Sequence, residues 1–368
     1  MHEATTRVKP AQPLLRLCYF GTYERAYPRN AQVISCLRGA GVEVKEEHVP
    51  VWDDVRHGWA AGGRTALQLL TAEARLFTRR ARARGFDAYV VGYPGHLDVW
   101  PARRAARGRP VVFNPLVSLT DTLVTDRRRF RPGSLAARTL EAIDRAAFRR
   151  ADLVVADTDA HARFFAELAG LDDVAVCFVG AEERLFRPNW QKPSEFHVLF
   201  VGKLIPLQGV DTIIATAREL PEIPFRLVGS GQLEALLANR PANVEHVPWI
   251  EYTRLPGEIG RSGCVLGIFG TTGKAQRVIP NKAFQALACG APLITADTPA
   301  ARELLVDGDS ALLVPPGDPA ALADAVRRLR VDPDLAHRLA AGGRSTYERH
   351  ASEAVLGARW RGIIERLL

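Results

Sequence analysis

Residues 264–295 read CVLGIFGTTGKAQRVIPNKAFQALACGAPLIT, and how this stretch is parsed decides the fold. Cys264–Phe269 is a short apolar run of the kind a buried parallel strand needs. A Gly- and Thr-rich loop follows, and Pro280 then stands at a helix start, where its missing N–H costs nothing. Phe284 and Leu287 recur on one helical face, Gly290 stops the helix, and a second strand is expected over Pro292–Thr295. Strand, loop, helix and strand in one short segment make the repeating unit of a parallel sheet.

The same punctuation extends in both directions. Downstream, a strand is expected at Ala311–Val314 and helices at about 299–306, 318–330 and 334–367. Upstream, strands are expected at Val198–Val201, Phe225–Val228 and Val244–Val247, with helices near 209–219, 231–239 and 253–262. Arg187–Glu195 (RPNWQKPSE) breaks the alternation with two prolines and reads as a linker. Before it, strands are expected at Leu14–Phe20, around Val42 and Val44, and at Asp87–Gly92, Pro110–Phe113, Leu153–Ala156 and Val174–Val179. The intervening helices fall around Val33–Leu37, at 63–84 with Leu67, Leu70 and Phe77 on the apolar side, and near 98–107 and 134–150. The fold expected is α/β: two doubly wound parallel-sheet domains, residues 1–186 and 196–344, joined by residues 187–195.

A chain of 368 residues is long enough for two such cores. With 47% apolar and 24% charged residues, it is neither disordered nor fibrous. No apolar run approaches the roughly 18–20 residues needed to span a bilayer, and residues 1–12 lack the apolar centre of a secretory signal. The five cysteines are scattered through apolar runs, which is neither a disulfide framework nor a metal-ligand spacing. A cytoplasmic, reduced, metal-free protein is expected.

The net charge is +8, with 43 Arg against 6 Lys. The excess lies in residues 1–190, which carry 29 basic and 22 acidic side chains, against 20 and 19 in the remainder. It is concentrated in Arg clusters at 79–84, 103–109 and 127–131. Such a face suits an anionic membrane surface or an acidic substrate, or is simply solvated. Nucleic acid is not expected as a partner, since no aromatic interleaving or module signature accompanies the arginines.

Ligands of open parallel sheets bind outside the carboxyl ends of the strands, so the loops there carry the candidate chemistry. After the first strand, Gly21 and Thr22 offer backbone N–H groups to a phosphate ahead of a helix N-terminus, although no G-x-G-x-x-G fingerprint is present. After the first strand of the second domain, Gly202 and Lys203 form a reasonable diphosphate clamp, with Gln208 close behind. Three of the six lysines (203, 274 and 282) fall in loops or helix starts of this domain. Gly229 and Gly231 permit close backbone approach, to a ligand or merely to a turn. Thr271, Lys274, Arg277, Asn281 and Lys282 occupy the loop quoted first, and Lys282 and Gln285 share a helix face.

At this point the residues acquire a family likeness. Pro280–Ile294 (PNKAFQALACGAPLI), Arg302–Gly308, Leu312–Pro319 with Leu322-Ala323, and Val201-Gly202-Lys203 with Gln208-Gly209 resemble the donor-binding half of the retaining family 4 (group 1) glycosyltransferases. The likeness is strong over 196–345 and rests mainly on element order, Gly21 and Val179-Gly180-Ala181 over 1–190. It implies the GT-B architecture, two facing Rossmann-like domains with the last helix, 345–368, crossing back to the first. It also implies transfer of a hexose from a nucleotide-diphosphate sugar to a hydroxyl acceptor, saccharide or lipid-linked, with no bound metal and no other cofactor. Gln285 would then reach the nucleotide ribose, and Glu303 the sugar or its loop. The family's paired glutamates would fall at Arg277 and Gln285, and a Lys is usual at Gln208, so the chain departs at all three. The acceptor-side histidine has no counterpart in its usual loop; His96 and Asp121 are the nearest candidates, with Ser118 and Asp121 as simple helix caps being the plainer reading. The lost glutamates leave open a non-catalytic relative acting as a partner subunit or a sugar- or nucleotide-binding module.

Overall fold

The computed structural model describes residues 14–25, 27–51, 63–79 and 82–368. The stretch expected to lack a secretory core, residues 1–12, lies outside them, as do Arg80 of the first Arg cluster and Ala26 of the loop after the first strand. The first half contains β1 (Arg16–Gly21), α1 (Pro28–Gly39), β2 (Glu43–His48), α2 (Gly63–Arg79), β3 (Ala88–Val91), α3 (Val99–Ala106), β4 (Val111–Phe113), α4 (Leu135–Arg150), β5 (Leu153–Ala156), α5 (Asp159–Ala169) and β6 (Val174–Val176). The second contains β7 (Val198–Val201), α6 (Val210–Glu219), β8 (Phe225–Val228), β9 (Val244–Val247), α7 (Leu255–Gly260), β10 (Cys264–Leu266), α8 (Asn281–Cys289), β11 (Leu293–Ala296), β12 (Leu312–Val314), α9 (Pro319–Val331), α10 (Pro333–His350) and α11 (Glu353–Glu365). Two six-stranded parallel sheets result, ordered β2-β1-β3-β4-β5-β6 and β12-β11-β10-β7-β8-β9. Strand order therefore reverses between β1 and β3 in the first sheet and between β7 and β10 in the second. Those two points are where a doubly wound sheet opens a crevice.

Local chemistry sets the element boundaries. Thr158 caps α5 by accepting the His161 amide at 3.0 Å, and Asp318 caps α9 through Ala321 at 3.0 Å. Gly290 ends α8 at φ +70°, a left-handed conformation that favours glycine. The strands bury continuous runs: all of β3, β4, β5, β10 and β11 lie inside, as expected when helices cover both faces of a sheet.

Several elements end sooner than their apolar runs suggest. β6 stops at Val176 because the chain turns aside to present the Cys177 and Phe178 carbonyls to the buried Arg29 guanidinium at 2.9 and 2.8 Å. β10 stops at Leu266, after which Gly267 passes so close to Thr295 that a Cβ there would lie 2.2 Å from its Oγ1. The helix expected over 299–306 is a single 3-10 turn, Ala301–Glu303, and the one over 231–239 is the 3-10 segment Glu234–Asn239. On α2, Ala72 and Leu76 are buried while Leu70 is 64% exposed and Phe77 36%, so the core face is rotated from the one expected; the Leu67 side chain lies outside the described residues. The long terminal helix breaks at Ala351–Ser352, where the Glu353 amide donates to Glu183 at 2.9 Å.

That break turns the chain back. α11 packs along α1, with Leu356, Trp360, Ile363 and Ile364 in one buried cluster with Val33 and Leu37. Each such side chain is worth about 1.5–3 kcal/mol of burial, and Arg361 adds a hydrogen bond to the Ala40 carbonyl at 3.0 Å. Among the described residues, no helix is long and apolar enough to cross a membrane.

Candidate functional site

The loops at the carboxyl ends of the two sheets face each other and are stitched together. Lys274, in the loop after β10, donates to Thr122 Oγ1 at 2.7 Å. Arg277 pairs with Asp121 at 2.7 Å, stacks over Phe164 at 4.1 Å, and accepts at its carbonyl from Thr158 at 2.5 Å. Gln232 donates to the Arg127 carbonyl at 3.0 Å. Glu303 accepts the Asp159 and Ala160 amides at 2.6 and 2.7 Å, so both its oxygens sit on the N-terminus of α5. Of the residues expected to meet the donor, Lys274, Arg277 and Glu303 thus hold one domain to the other. Asp121 is the partner of Arg277 rather than a helix cap; Ser118 takes that role, accepting the Asp121 amide at 3.0 Å.

The seam is polar and incompletely paired. Asp121 Oδ2 and Arg277 Nε are buried without hydrogen-bond partners, while Asp126 Oδ2 faces Arg127 Nε at 3.5 Å as an ion pair. Burial pushes the Lys274 ammonium below its ordinary range, with Asp121 and Asp126 opposing the shift. Burial pushes Asp126 upward, against the pull of Lys274 and Arg127. Each unsatisfied buried polar atom costs about 1–3 kcal/mol.

Deeper in the second domain, Lys282 fills the crevice between β7 and β10. Its Nζ donates to Gln208 Oε1 and to the Gly267 carbonyl at 3.2 Å, and lies 3.6 Å from the centre of the Phe200 ring. Burial holds this amine well below the usual lysine range. It sits directly beneath Gly202, where a Cβ would come within 2.8 Å of it. Gln285 is likewise occupied, donating to the Tyr252 hydroxyl at 3.2 Å. Asn281 opens α8 half-buried, and Thr271 is exposed beside Gly317. The glycines after β8 serve the backbone: a Cβ on Gly229 (φ +140°) would lie 1.9 Å from the Gly202 carbonyl oxygen, and one on Gly231 2.7 Å from that of Leu204. Gly229→Ala is therefore expected to destabilise the chain by roughly 3 kcal/mol or more, read as a fall in denaturation midpoint.

Lys203 differs from the other two lysines. Its side chain reaches solvent at the end of β7, and among the described residues no hydrogen bond or ion pair engages it. The walls of the cleft strip part of its water and push its ammonium below the ordinary range, with the Glu24 carboxylate opposing.

On the first domain, Gly21 and Thr22 are not open to a phosphate. The Asp98 carboxylate accepts the Thr22 amide at 2.7 Å and its hydroxyl at 3.2 Å, and a Cβ on Gly21 (φ +133°) would meet it at 2.2 Å. His96 is buried, its Nδ1 2.5 Å from the Pro94 carbonyl and its Nε2 3.2 Å from Asp144. Burial works against the Asp144 charge, yet His96 and the Thr120 and Leu119 amides outweigh it and hold that carboxyl low. Neither Asp98 nor Asp144 stands out in sequence, since a helix-start Asp and a mid-helix Asp are common solvated residues. Asp157, just after β5, accepts from His161 at 2.6 Å.

Asp98 faces a second carboxyl, Glu73 of α2. Burial, then the Asp98 charge, pushes Glu73 up to about 10, and burial pushes Asp98 upward as well. A carboxyl raised in the folded state binds its proton more tightly there than in the unfolded chain. Its stability contribution is full below about 4.5 and declines as pH rises toward 10. Glu73→Gln is expected to raise the denaturation midpoint at pH 8 by several degrees, with the gain vanishing near pH 4.

Comparison with known proteins matches this picture. The profile of the glycosyl transferases group 1 family covers residues 195–332, and that of the glycosyl transferase 4-like domain covers residues 22–181. The D-inositol 3-phosphate glycosyltransferase of Thermomonospora curvata is 28% identical over 59% of this chain and 56% of its own. The alpha-D-kanosaminyltransferase of Streptomyces kanamyceticus is 26% identical over 66% of this chain and 56% of its own. The chain thus spans little more than half the length of these relatives. Among solved structures, sucrose-phosphate synthase from Thermosynechococcus elongatus superposes with a TM-score of 0.76 at 16% identity, over 96% of this chain and 99% of the other. Anabaena HepE in complex with UDP-glucose superposes at 0.68 and 15% identity, over 96% and 100%. These likenesses show the fold, two Rossmann-like domains in the GT-B arrangement, as the sequence led us to expect. With profiles matched on both sheets and the architecture shared, the chain belongs to the group 1 glycosyl transferases.

Proposed function

We propose that the protein is a retaining, metal-independent glycosyltransferase that moves a hexose from a nucleotide-diphosphate sugar to a hydroxyl acceptor. The observation that carries this reading is Lys203. It is an exposed cation at the end of β7 that, among the described residues, makes no hydrogen bond or ion pair and feels the charge of Glu24 nearby, while Lys274 and Lys282 are engaged. In the reaction, the bond from the anomeric carbon to the diphosphate oxygen breaks and one to the acceptor oxygen forms. The acceptor proton passes to the departing diphosphate. Lys203 offsets the charge that develops on that leaving group. Asp121 Oδ2 and Arg277 Nε, an acceptor and a donor left without partners in the seam, suit a sugar, whose hydroxyls both donate and accept. Asn281, Thr271 and the α8 N-terminus stand on the same side as further donor contacts, and the first domain supplies the acceptor.

Two relatives, the inositol-phosphate enzyme above and a phosphatidyl-myo-inositol mannosyltransferase of Mycobacterium leprae, favour a polyol-phosphate or lipid-linked acceptor, with a saccharide as the alternative. Cytoplasmic placement, with peripheral contact between the basic first domain and an anionic membrane, belongs to this reading. The test is incubation with a panel of nucleotide sugars and acceptors in EDTA, followed by NMR of the product. An α-linked donor should give an α-linked product; an inverted product would refute retention, and a strict magnesium requirement would refute metal independence.

A second reading has its own observation. Arg277 and Gln285, where the resemblance places paired glutamates, are tied to Asp121 and Tyr252. Nucleotide binding with no transfer to any acceptor would favour a non-catalytic partner or binding module.

A further inference from the structure

The first domain's crevice, between β1 and β3, is not filled. A cavity of about 320 Å³ opens there between α2, α4 and the loops after β3 and β4. Its walls are largely apolar, with Leu69, Leu97, Leu119, Leu123, Phe130 and Ile143 contributing side chains. The polar groups that reach the wall are turned toward one another. Asp98 holds the Thr22 amide and hydroxyl, Glu73 faces Asp98, and His96 lies against Asp144. Apart from Glu24 and Arg129 toward the mouth, what remains facing the void is mostly hydrocarbon. At the rim, Leu97 is 37% exposed, and Leu70, beside Leu69 on α2, is 64% exposed. Water gains little in such a space, whereas an apolar cavity of about 150 Å³ already holds a benzene ring.

The cavity also adjoins the transfer cleft. Glu24 lines it, and the same carboxylate is near enough for its charge to act on Lys203. A group seated in the cavity therefore places whatever it carries beside the leaving diphosphate. A free sugar or an inositol phosphate would leave these walls bare.

We propose that the acceptor is amphiphilic, seating an alkyl, prenyl or aromatic group in this cavity and presenting its hydroxyl past Glu24 toward the donor. This rests on the transferase reading above and names the chemical class of its acceptor. Arg129 lines the mouth, with Arg128 and Arg131 exposed next to it in sequence. An anionic group at the polar end of the amphiphile would find its counter-charge there.

The test uses the full chain and two probes, n-octyl and methyl β-D-glucopyranoside, the former kept below its micelle concentration. Binding is followed by calorimetry. Each buried methylene strengthens binding roughly fourfold, so burying four of the extra seven gives the octyl probe an advantage of about 250-fold. Ile143→Trp, which fills the cavity from α4, and Leu123→Asn, which makes its wall polar, should each cut that advantage to tenfold or less. Circular dichroism reports whether each variant is folded. Equal binding of the two probes by the wild-type chain, or an octyl advantage that folded variants retain in full, would overturn the proposal. Nucleoside diphosphate binding is measured on the same samples. Its absence from the wild-type chain would sink the transferase reading, whereas its presence with no octyl advantage would sink the amphiphile alone.

Discussion

Replacing Lys203 by methionine is expected to lower turnover by about 100- to 1000-fold, the usual loss when one preorganised charge is removed from a developing anion. The ground state contributes to this. A charge-assisted hydrogen bond to a phosphate is worth about 1.5–3 kcal/mol, so the nucleoside diphosphate should bind some 10- to 100-fold more weakly. Stability should barely change, because among the described residues Lys203 has no hydrogen bond or ion pair to lose. Methionine keeps the length of the stem without its charge. A midpoint within about 0.5 kcal/mol of wild type, beside a large kinetic defect, is the expected pair of results. Lys203→Arg should recover part of the diphosphate binding, since the charge survives though its geometry differs. A variant that binds and turns over like wild type would remove Lys203 from the site.

The second large effect is expected at Arg277. Its guanidinium is the partner of Asp121, a carboxylate only 2% exposed. Taking away one member of a buried pair strands the other, at about 3–5 kcal/mol. Here the stranded charge lies in the seam, so the cost falls on the closed arrangement and not on either core. Arg277→Met should therefore lower kcat by about 100-fold or more while each domain keeps its fold. The separated domains should give a larger radius of gyration by X-ray scattering, which a merely local defect would not. Asp121→Asn is the complementary variant: with the charge gone, Arg277 loses its partner but no carboxylate is left bare. Combining Asp121→Asn with Arg277→Met should cost less than the sum of the two. Additive losses would mean that the pair does not hold the seam.

The regular part of the molecule was readable because its signals are local. Runs such as Leu153–Ala156 and Val198–Val201 are apolar throughout, which only a doubly covered parallel strand tolerates. Gly290 and Pro280 mark the ends of α8 in the residues themselves. What was not readable depends on distant partners. The chain leaves β6 early to satisfy Arg29, which is 148 positions away from the Cys177 carbonyl it bonds. The 299–306 segment gives up its helix so that Glu303 can cap α5, 144 positions upstream.

The site was legible in the same divided way. The lysine beside a glycine at a strand end drew attention to Lys203, which the structure leaves exposed at the end of β7. The family pattern also drew attention to Lys274, Arg277 and Glu303, residues whose polar atoms the structure shows spent on the other domain. No spacing could reveal that. Nor does anything local mark Asp98 as the group that occupies the Thr22 amide, or Glu73 as the carboxyl directly beside it. Carboxylates of that kind are usually solvated, and only the packing of α2 against the β1 loop makes these two buried.

The central claim is that the crevice beside Lys203 receives a nucleoside diphosphate without help from a metal. Calorimetric titration of UDP, GDP, ADP, CDP and dTDP in EDTA tests it directly, on the wild-type chain and on Lys203→Met. One of the five is expected to bind the wild-type protein, magnesium should not improve the affinity, and the variant should lose at least tenfold. Binding by none of the five, binding only with magnesium, or equal binding by the variant would contradict it.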